Sequence, residues 1–414
     1  MNGVLPLHMT DSSALRGITD RFMTVPDPIL SPQILLLKFM DVGPFVLVQV
    51  LLFFTLGFWG LLWFRRRYHL SLAAFTPLFL LFNFNGHNLT HLSVGHVTFA
   101  GYFLFPWFLA LIIQLVVDGQ KSWAWVAKMA ILLFAIWLQG AFHHYVWGLM
   151  FIGLIGLTSA KAFWPAVKAG VAAILLSMVR ILPPAMMFGQ YDDDFLGGYP
   201  TVWDTLRSMV TIVFPADAIE APRSMLNSLA WWEFDLYLGI LGAAFLLWFG
   251  VGRWLKNKRS ETGYPALLLP VVIIFIFSIG RVYRLVRLIP IPLLAGERAT
   301  FRMIILPVVI LLILAAIEFQ AWLNEREHTP ILQVSMLGGF FLIGHDLWQH
   351  LKVWQVTNAV GAFDVARVDL TLKVVGNHPD PAYTTILAIG AAVSALTLAA
   401  LIILWVREKH APST

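Results

Sequence analysis

Three histidines, His87, His91 and His96, lie within ten residues between two long apolar runs. Polar side chains beside a membrane-length apolar run are costly unless a site uses them, and imidazoles donate, accept or bind metals near neutral pH. His87 and His91 share a face if the segment is helical, so a metal site is one interpretation. The turn-favouring residues that follow His87 and the lack of a nearby carboxylate instead favour hydrogen bonding to a sugar or a phosphate. His143 and His144 are adjacent and point to different faces, so at most one should line a shared cavity.

A second group of residues is cationic. Arg281, Arg284 and Arg287 recur every three positions and would project along one side of a helix. Arg298 and Arg302, four apart, open a later apolar run. An arginine guanidinium can donate two parallel hydrogen bonds to phosphate oxygens, and it stays charged beside lipid. We therefore expect a bound pyrophosphate or phosphodiester. Anchoring to lipid headgroups is the alternative, although one or two arginines would suffice for it.

Acidic side chains complete the reactive set. Glu233 follows two tryptophans and precedes an apolar run, so partial desolvation would suit its carboxyl group to acid/base chemistry. Glu233 could equally be the structural partner of one of the arginines. The acidic run at residues 192–194 resembles a catalytic or metal-binding cluster, but the glycines and proline around it also fit a solvated loop tip.

The composition is that of a membrane protein. Hydrophobic residues make up 59% of the chain and charged residues only 12%, against about 25% in soluble proteins. The chain has no cysteine, which excludes disulfides, thiolate catalysis and cysteine metal sites. The net charge of +5 is spread between apolar runs. That pattern fits lipid headgroups or phosphate ligands and shows no concentrated nucleic-acid footprint.

The apolar runs predict an all-α integral membrane protein with about eleven transmembrane helices, each near the ~20 residues that cross a bilayer. The predicted spans are 44–64, 70–86, 97–117, 123–140, 145–161, 163–182, 236–252, 264–280, 303–323, 330–347 and 383–406. The short second span could be re-entrant. These spans form one membrane domain over residues 44–406, with two longer loops at 183–235 and 348–382. Residues 1–43 form an N-terminal segment and residues 407–414 a tail.

Short basic loops set the predicted orientation, since such loops stay cytoplasmic. They contain Arg65–Arg67, Lys121, Lys161, the basic cluster at 253–259, Arg407 and Lys409. The histidines and the other arginines then face away from the cytoplasm. Residues 1–43 also lie outside, although no apolar segment precedes them. Either they are translocated as a short tail, or the natural gene product has one more helix upstream, the interpretation that we favour.

Several motifs follow one another in a set order. They are Ser31-Pro32 before a leucine run, the basic turn at 65–69, Gly95-His96 with Pro106, Gly140-Ala141-Phe142-His143, residues 232–239 (WEFDLYLG), and Arg298-Ala299-Thr300-Phe301-Arg302. With these motifs, over about residues 26–322, the chain resembles the bacterial polytopic glycosyltransferases of the GT-C superfamily. The likeness is greatest to the branch linked to sugar decoration of cell-envelope polymers.

The resemblance implies a GT-C-like fold, a polyprenyl-phosphate-linked sugar donor and an inverting transfer. It also implies an active site on the outer face of the bacterial cytoplasmic membrane. Family enzymes usually carry an essential acidic residue in the first outer loop, just after a first transmembrane helix. This sequence departs there, because it has no preceding helix and no secure counterpart of that motif. Asp11, Asp20 and Asp27 are the acidic residues in the region.

We therefore predict a multi-pass membrane glycosyltransferase that acts on an envelope acceptor. The residues expected to hold the lipid phosphate and stabilise it as leaving group are Arg281, Arg284, Arg298 and Arg302. The candidates for deprotonating the acceptor are Glu233, Asp20 and Asp27. The histidines expected to position sugar or phosphate are His87, His91, His96 and His143. No cofactor is assigned, and a divalent metal remains an open option.

A scaffold and a transporter are the two alternatives to a glycosyltransferase. A non-catalytic GT-C-like scaffold, an accessory subunit of a larger membrane complex, would account for the missing acidic motif and first helix. A transporter would need ionisable residues near mid-membrane, whereas here they gather at one face. The scaffold is therefore the stronger alternative.

Overall fold

The structure is a computed structural model that describes residues 30–186, 196–215, 231–289, 291, 294, 297, 299–327, 329–358 and 381–410. The candidate residues Asp20, Asp27 and Arg298 lie outside these residues, as do residues 192–194. The described chain is helical, and its β pairing is limited to an isolated bridge between Gly197 and Ala299.

The described residues between 30 and 186 form eight α-helices. They are α1 (Val42–Arg67), α2 (Leu72–Phe84), α3 (Gly86–Ser93), α4 (Phe105–Val116), α5 (Trp123–Leu138), α6 (Phe142–Thr158), α7 (Ala160–Leu176) and α8 (Met178–Ala185). Two 3-10 helices accompany them, Pro32–Lys38 before α1 and Val97–Leu104 leading into α4. Side-chain caps fix several starts: Ser71 accepts the Ala74 N–H at α2, and Ser122 accepts the Trp125 N–H at α5.

The second half is more interrupted. Its helices are α9 (Val202–Ser208), α10 (Gly239–Phe245), α11 (Trp254–Asn257), α12 (Leu268–Phe277), α13 (Gly280–Val286), α14 (Ile305–Asn324), α15 (Pro330–Val353) and α16 (Pro381–His410). A π-helical stretch, Leu246–Arg253, joins α10 to α11. Short 3-10 helices lie at Trp231–Glu233, Ser260–Thr262 and Thr300–Ile304, the last leading into α14.

Among the described residues, five helices are long and apolar enough to cross a membrane. They are Val42–Arg67, Val97–Val116, Thr300–Asn324, Pro330–Asn358 and Ala382–His410. Two bent pairs raise the number to seven if each is one span: α7 with α8, bent by 70°, and α12 with α13, bent by 107°. The protein is therefore a multi-pass helical membrane protein.

The predicted count of eleven spans is not reproduced among the described residues. The predicted spans fall mainly on helices, but α2 has 13 residues, α5 has 16 and α6 has 17. These are short of the ~20 residues that a straight crossing needs. Two of these ends have a local cause. Gly140, with a positive φ angle of 82°, follows the end of α5, and α2 ends at Asn85, whose extended backbone separates it from α3.

The core lies around two central spans. Thr300–Asn324 is 89% buried and Val97–Val116 is 83% buried, whereas Pro330–Asn358 is only 11% buried. Gly57 and Gly60 let α1 lie directly against the Val97–Val116 span. A Cβ at Gly60 would lie 2.7 Å from the Pro106 Cβ. α1 and this span therefore run side by side in the same direction.

Candidate functional site

His87 and His91 are placed by a helix that begins at a break. The Asn85 side chain accepts the Asn88 N–H at 3.1 Å and so caps α3. Gly86 is required at the first position, because a Cβ there would lie 1.9 Å from Asp235 Oδ1. The residues after His87 are therefore helical, despite their turn-favouring types, and His87 and His91 project from one face of α3.

Two glycines with left-handed conformations place the other histidines. Gly95 ends α3, and the His96 N–H then donates to the His91 carbonyl at 2.9 Å. Gly140 ends α5 in the same way, with its N–H donating to the Trp137 carbonyl at 2.8 Å, and α6 follows with His143 and His144 in its first turn. In both places the chain reverses tightly, so that a histidine opens the next helix.

Four histidine rings pack around the ring of Phe99, and we name them the histidine cluster. His91 stacks on Phe99 with centroids 3.8 Å apart and planes 12° apart. His96 stacks at 5.7 Å, His87 lies at 5.5 Å, and His144 meets the ring edge-on at 5.1 Å. The Nδ1 atoms of His91 and His96 are 3.2 Å apart. Phe99 is thus the platform on which the cluster is built.

A buried ion pair borders the cluster. The Arg302 Nε donates to Glu233 Oε2 at 2.7 Å, and its Nη2 donates to Oε1, so the pair is bidentate. The two side chains are 12% and 6% exposed. The Arg302 guanidinium lies over Phe99, 5.4 Å from the ring centroid, and Trp232 lies 5.0 Å from His96. Arg302 is therefore shared between the carboxylate and the aromatic platform.

The cluster is electrically neutral at ordinary pH. Burial and the nearby Arg302 charge lower the pKa of His87 to about 3 and that of His96 to about 4. Burial, with the charges of its neighbours, also lowers the pKa of His91 well below its usual range. Arg302 is thus the charge that an anionic ligand would meet beside the neutral rings.

Several ring nitrogens of the cluster have no hydrogen-bond partner among the described residues. They are Nε2 of His87, Nε2 of His91 and both ring nitrogens of His144. Buried polar atoms are normally paired, and each unpaired one costs about 1–3 kcal/mol. A ligand with hydroxyl or phosphate oxygens would satisfy these atoms. The described residues contain no group of three or more His, Asp or Glu side chains placed to hold a metal ion.

His143 lies apart from the cluster. Its Nδ1 is 2.9 Å from Glu297 Oε2, and Trp147 Nε1 donates to the same oxygen at 2.9 Å. Burial would raise the pKa of the Glu297 carboxyl. The His143 charge and the donors from His143, Trp147 and the Ala299 N–H outweigh burial, so that pKa is lowered. Of the two adjacent histidines, His144 joins the cluster and His143 holds Glu297.

Arg281 and Arg284 lie on α13 and are exposed. Leu285 and Leu288, close to them in sequence, are 67% and 78% exposed. The third member of the series, Arg287, turns inward and donates to the Glu297 carbonyl at 3.2 Å. The described contacts therefore do not bring Arg281 or Arg284 to the histidine cluster.

A second buried pair supports the segment that carries Glu233. His350 Nε2 is 2.8 Å from Asp235 Oδ2, and both side chains are fully buried. The His350 ring stacks on Tyr237 at 4.6 Å, and Asp235 Oδ1 accepts the Tyr237 N–H at 2.9 Å. The end of α15 thus fixes the backbone two residues beyond Glu233.

Sequence reasoning did not identify Phe99 as the platform or pair Asp235 with His350. Phe99 is one apolar residue among many in a span, and nothing in its neighbours marks it. The partners Asp235 and His350 are 115 positions apart. The unusual density of histidines was the one signal that pointed to this place.

No protein-family model, curated protein or solved structure shows significant similarity to this chain. The likeness to GT-C glycosyltransferases therefore stays a prediction from the sequence motifs.

Proposed function

We propose that the protein is a membrane glycosyltransferase, which moves a sugar from a polyprenyl-phosphate carrier to a hydroxyl of an envelope acceptor. The observation that carries the proposal is the position of Arg302. Its guanidinium lies among neutral histidines, and several buried ring nitrogens of these histidines have no hydrogen-bond partner among the described residues. This set matches a ligand that combines a phosphate with sugar hydroxyls, because the guanidinium pairs with phosphate oxygens and the imidazoles donate or accept neutral hydrogen bonds.

In this proposal the donor phosphate competes with Glu233 for Arg302. Both Glu233 oxygens accept hydrogen bonds from the guanidinium. A phosphate that takes over one or both N–H donors releases Glu233 toward the acceptor. Donor binding and activation of the base are then one event.

The transfer proceeds by a single displacement. The acceptor oxygen bonds to the anomeric carbon of the sugar, and its proton passes to Glu233. The bond between the anomeric carbon and the phosphate oxygen breaks, and the electron pair leaves with the polyprenyl phosphate. Arg302 stabilises the charge that develops on that phosphate. His87, His91 and His96 orient the sugar and the phosphate.

The remaining candidates take other places in the proposal. Arg281 and Arg284 are exposed beside apolar side chains, so they bind phosphates at the membrane surface, where the carrier arrives. His143 positions Glu297 and does not touch the sugar. Arg298, Asp20 and Asp27 stay predictions from the sequence. The placement in the bacterial cytoplasmic membrane, with the site facing outward, rests on the basic short loops.

The test separates donor binding from transfer. Arg302→Ala in proteoliposomes should abolish binding of undecaprenyl phosphate, measured against undecaprenol as a neutral control. Glu233→Gln keeps a hydrogen-bonding side chain, so it should still bind undecaprenyl phosphate but lower transfer from undecaprenyl-phosphate sugars at least about 100-fold. Arg326→Gln, at an exposed arginine just beyond the far end of α14, is the matched arginine variant outside the cluster. Unchanged lipid binding by a folded Arg302→Ala protein would refute the assignment.

One observation favours a non-catalytic scaffold as the second candidate. The Arg302–Glu233 pair is complete in itself, and such a pair also fits a purely structural role. A scaffold would bind undecaprenyl phosphate no better than undecaprenol, would show no transfer with any sugar, and would co-purify with other membrane subunits.

A further inference from the structure

We propose that the protein holds an anionic phospholipid in a two-part site at the Arg67 end of α1, at the opposite end of the Val97–Val116 span from the histidine cluster. A span of this length separates the two places by about 30 Å. We name the proposed lipid site the Trp63 site, because Trp63 lines both of its parts.

The first part is a polar cavity of about 400 Å³. Its lining includes Arg67, Gln114, Asp118 and Lys128. Arg67 pairs with Asp118 through two donors, at 2.9 and 2.6 Å. The Arg67 Nε is nevertheless buried and has no hydrogen-bond partner in the part of the chain that the structure describes. A phosphate oxygen beside Arg67 would satisfy that atom, and the exposed Lys128 ammonium lines the same cavity.

The second part is apolar and has a cavity volume of about 370 Å³. It is lined by Trp59, Leu62, Trp63, Arg66 and Trp107. The Trp107 Nε1 donates to the Leu56 carbonyl at 2.8 Å, which fixes that ring, while Trp59 is 56% exposed. Amphipathic rings of this kind belong where a headgroup meets an acyl chain.

The charges around the Trp63 site favour a lipid with an anionic headgroup. The polar part is lined by Arg67, Lys128 and Asp118, and the apolar part by Arg66. The exposed Glu408 carboxylate accepts the Ala124 N–H at the rim at 3.3 Å. Three cations thus meet two carboxylates, so the site favours a net negative ligand. Lys128 belongs to an otherwise apolar helix and extends its ammonium toward the polar end.

The occupant must be both charged and apolar. Inorganic phosphate would fill only the polar part, and a neutral detergent tail only the apolar part. A phospholipid with an anionic headgroup fits both, with its phosphate near Arg67 and Lys128 and one acyl chain along Trp59 and Trp63. This inference does not depend on the function proposed for the histidine cluster.

The test is lipid binding by the intact protein in a nonionic detergent, read by native mass spectrometry. Phosphatidylglycerol is compared with phosphatidylcholine of the same chains. Lys128→Gln and Arg66→Gln change exposed side chains, and each should weaken phosphatidylglycerol binding about fivefold with little effect on phosphatidylcholine. Trp59→Ala should weaken the binding of both lipids. Lys168→Gln is the matched control, because its ammonium lies over Trp123, 4.9 Å from the ring centroid, and does not line the site.

Two outcomes would overturn the proposal. One is equal binding of the two lipids together with unchanged binding in both cation variants. The other is full competition by millimolar inorganic phosphate, which would show that the acyl chain contributes nothing.

Discussion

The two ends of the Val97–Val116 span hold their charges in opposite ways. At the histidine end, Arg302 and Glu233 are 12% and 6% exposed and pack against neutral rings. At the arginine end, Arg67 and Asp118 are 26% and 31% exposed, and Glu325, the partner of Arg253, is 53% exposed. The histidine end also buries Asp235 with His350, whereas most carboxylates paired at the arginine end are partly exposed. Glu318, 3.4 Å from Arg259, is the buried exception there.

The contrast suggests different roles for the charged residues at the two ends. A buried ion pair seldom stabilises a protein more than apolar residues of the same volume would, so its presence suggests another use. Exposed pairs contribute little energy, but basic residues at the ends of spans fix orientation and attract lipid phosphates. Chemistry is therefore expected at the histidine end, and contact with the lipid surface at the arginine end.

The largest effect is expected when one arginine is removed from each end. Arg302→Ala leaves the buried Glu233 without a partner and should lower the free energy of unfolding by about 3–5 kcal/mol. Arg67→Ala leaves Asp118 open to solvent and should cost about 1 kcal/mol or less. Both are measured by equilibrium unfolding in detergent. The double variant Arg302→Met with Glu233→Leu should recover most of the loss, and equal costs at the two ends would contradict the contrast.

The sequence predicted the broad architecture, because composition and apolar runs report membrane helices directly. It also gathered a wider set of candidates, and from that set the structure brings together His87, His91, His96, Glu233 and Arg302. Of the others, His143 contacts Glu297, and Arg281 and Arg284 are exposed on α13. Glu233 is predicted from the sequence either as a base or as the structural partner of an arginine, and the structure pairs it with Arg302.

What the sequence could not give is the set of contacts between distant segments. Spacing of three along α13 suggested a common role for Arg281, Arg284 and Arg287, but Arg287 turns to Glu297 while the other two are exposed. The predicted eleven spans are not confirmed among the described residues. Hydropathy does not detect where a glycine turn ends a helix or where a helix bends. Such breaks depend on packing around residues such as Gly140.

A close backbone contact gives the next test. Gly86 leaves no room for a Cβ against Asp235, so Gly86→Ala must displace the segment that carries Glu233. We expect a loss of about 1–3 kcal/mol in the free energy of unfolding, together with weaker donor binding. Gly119→Ala at the arginine end is the control. A Cβ there meets open space, so its cost should be limited to the strain of a positive φ angle of 67°, and donor binding should not change.

Low pH should lower the free energy of unfolding through the buried histidines of the cluster. Because the pKa of His87 is lowered to about 3, the folded protein stays unprotonated there while the unfolded chain gains a proton below about pH 6.5. Stability is thus full above pH 6.5 and falls as the pH drops toward 3, by about 1.4 kcal/mol per pH unit for this residue. Between pH 6.5 and 5 the loss is about 2 kcal/mol. His87→Gln should flatten this slope, and His69→Asn at the exposed turn after α1 should leave it as it is.

The smallest effect is expected at the arginine end, where Glu325 lies 3.0 Å from Arg253 and 3.6 Å from Arg259. Because this carboxylate is over half exposed, Glu325→Ala should cost less than about 1 kcal/mol. Raising the salt concentration from 0.05 to 0.5 M, with unfolding measured as before, should remove that small cost by screening. The same change of salt should leave the cost of Arg302→Ala nearly intact, since its partner is buried. If both costs fell with salt alike, the Arg302–Glu233 pair would be as open to solvent as the pairs at the arginine end, and it would lose its claim to a reactive role.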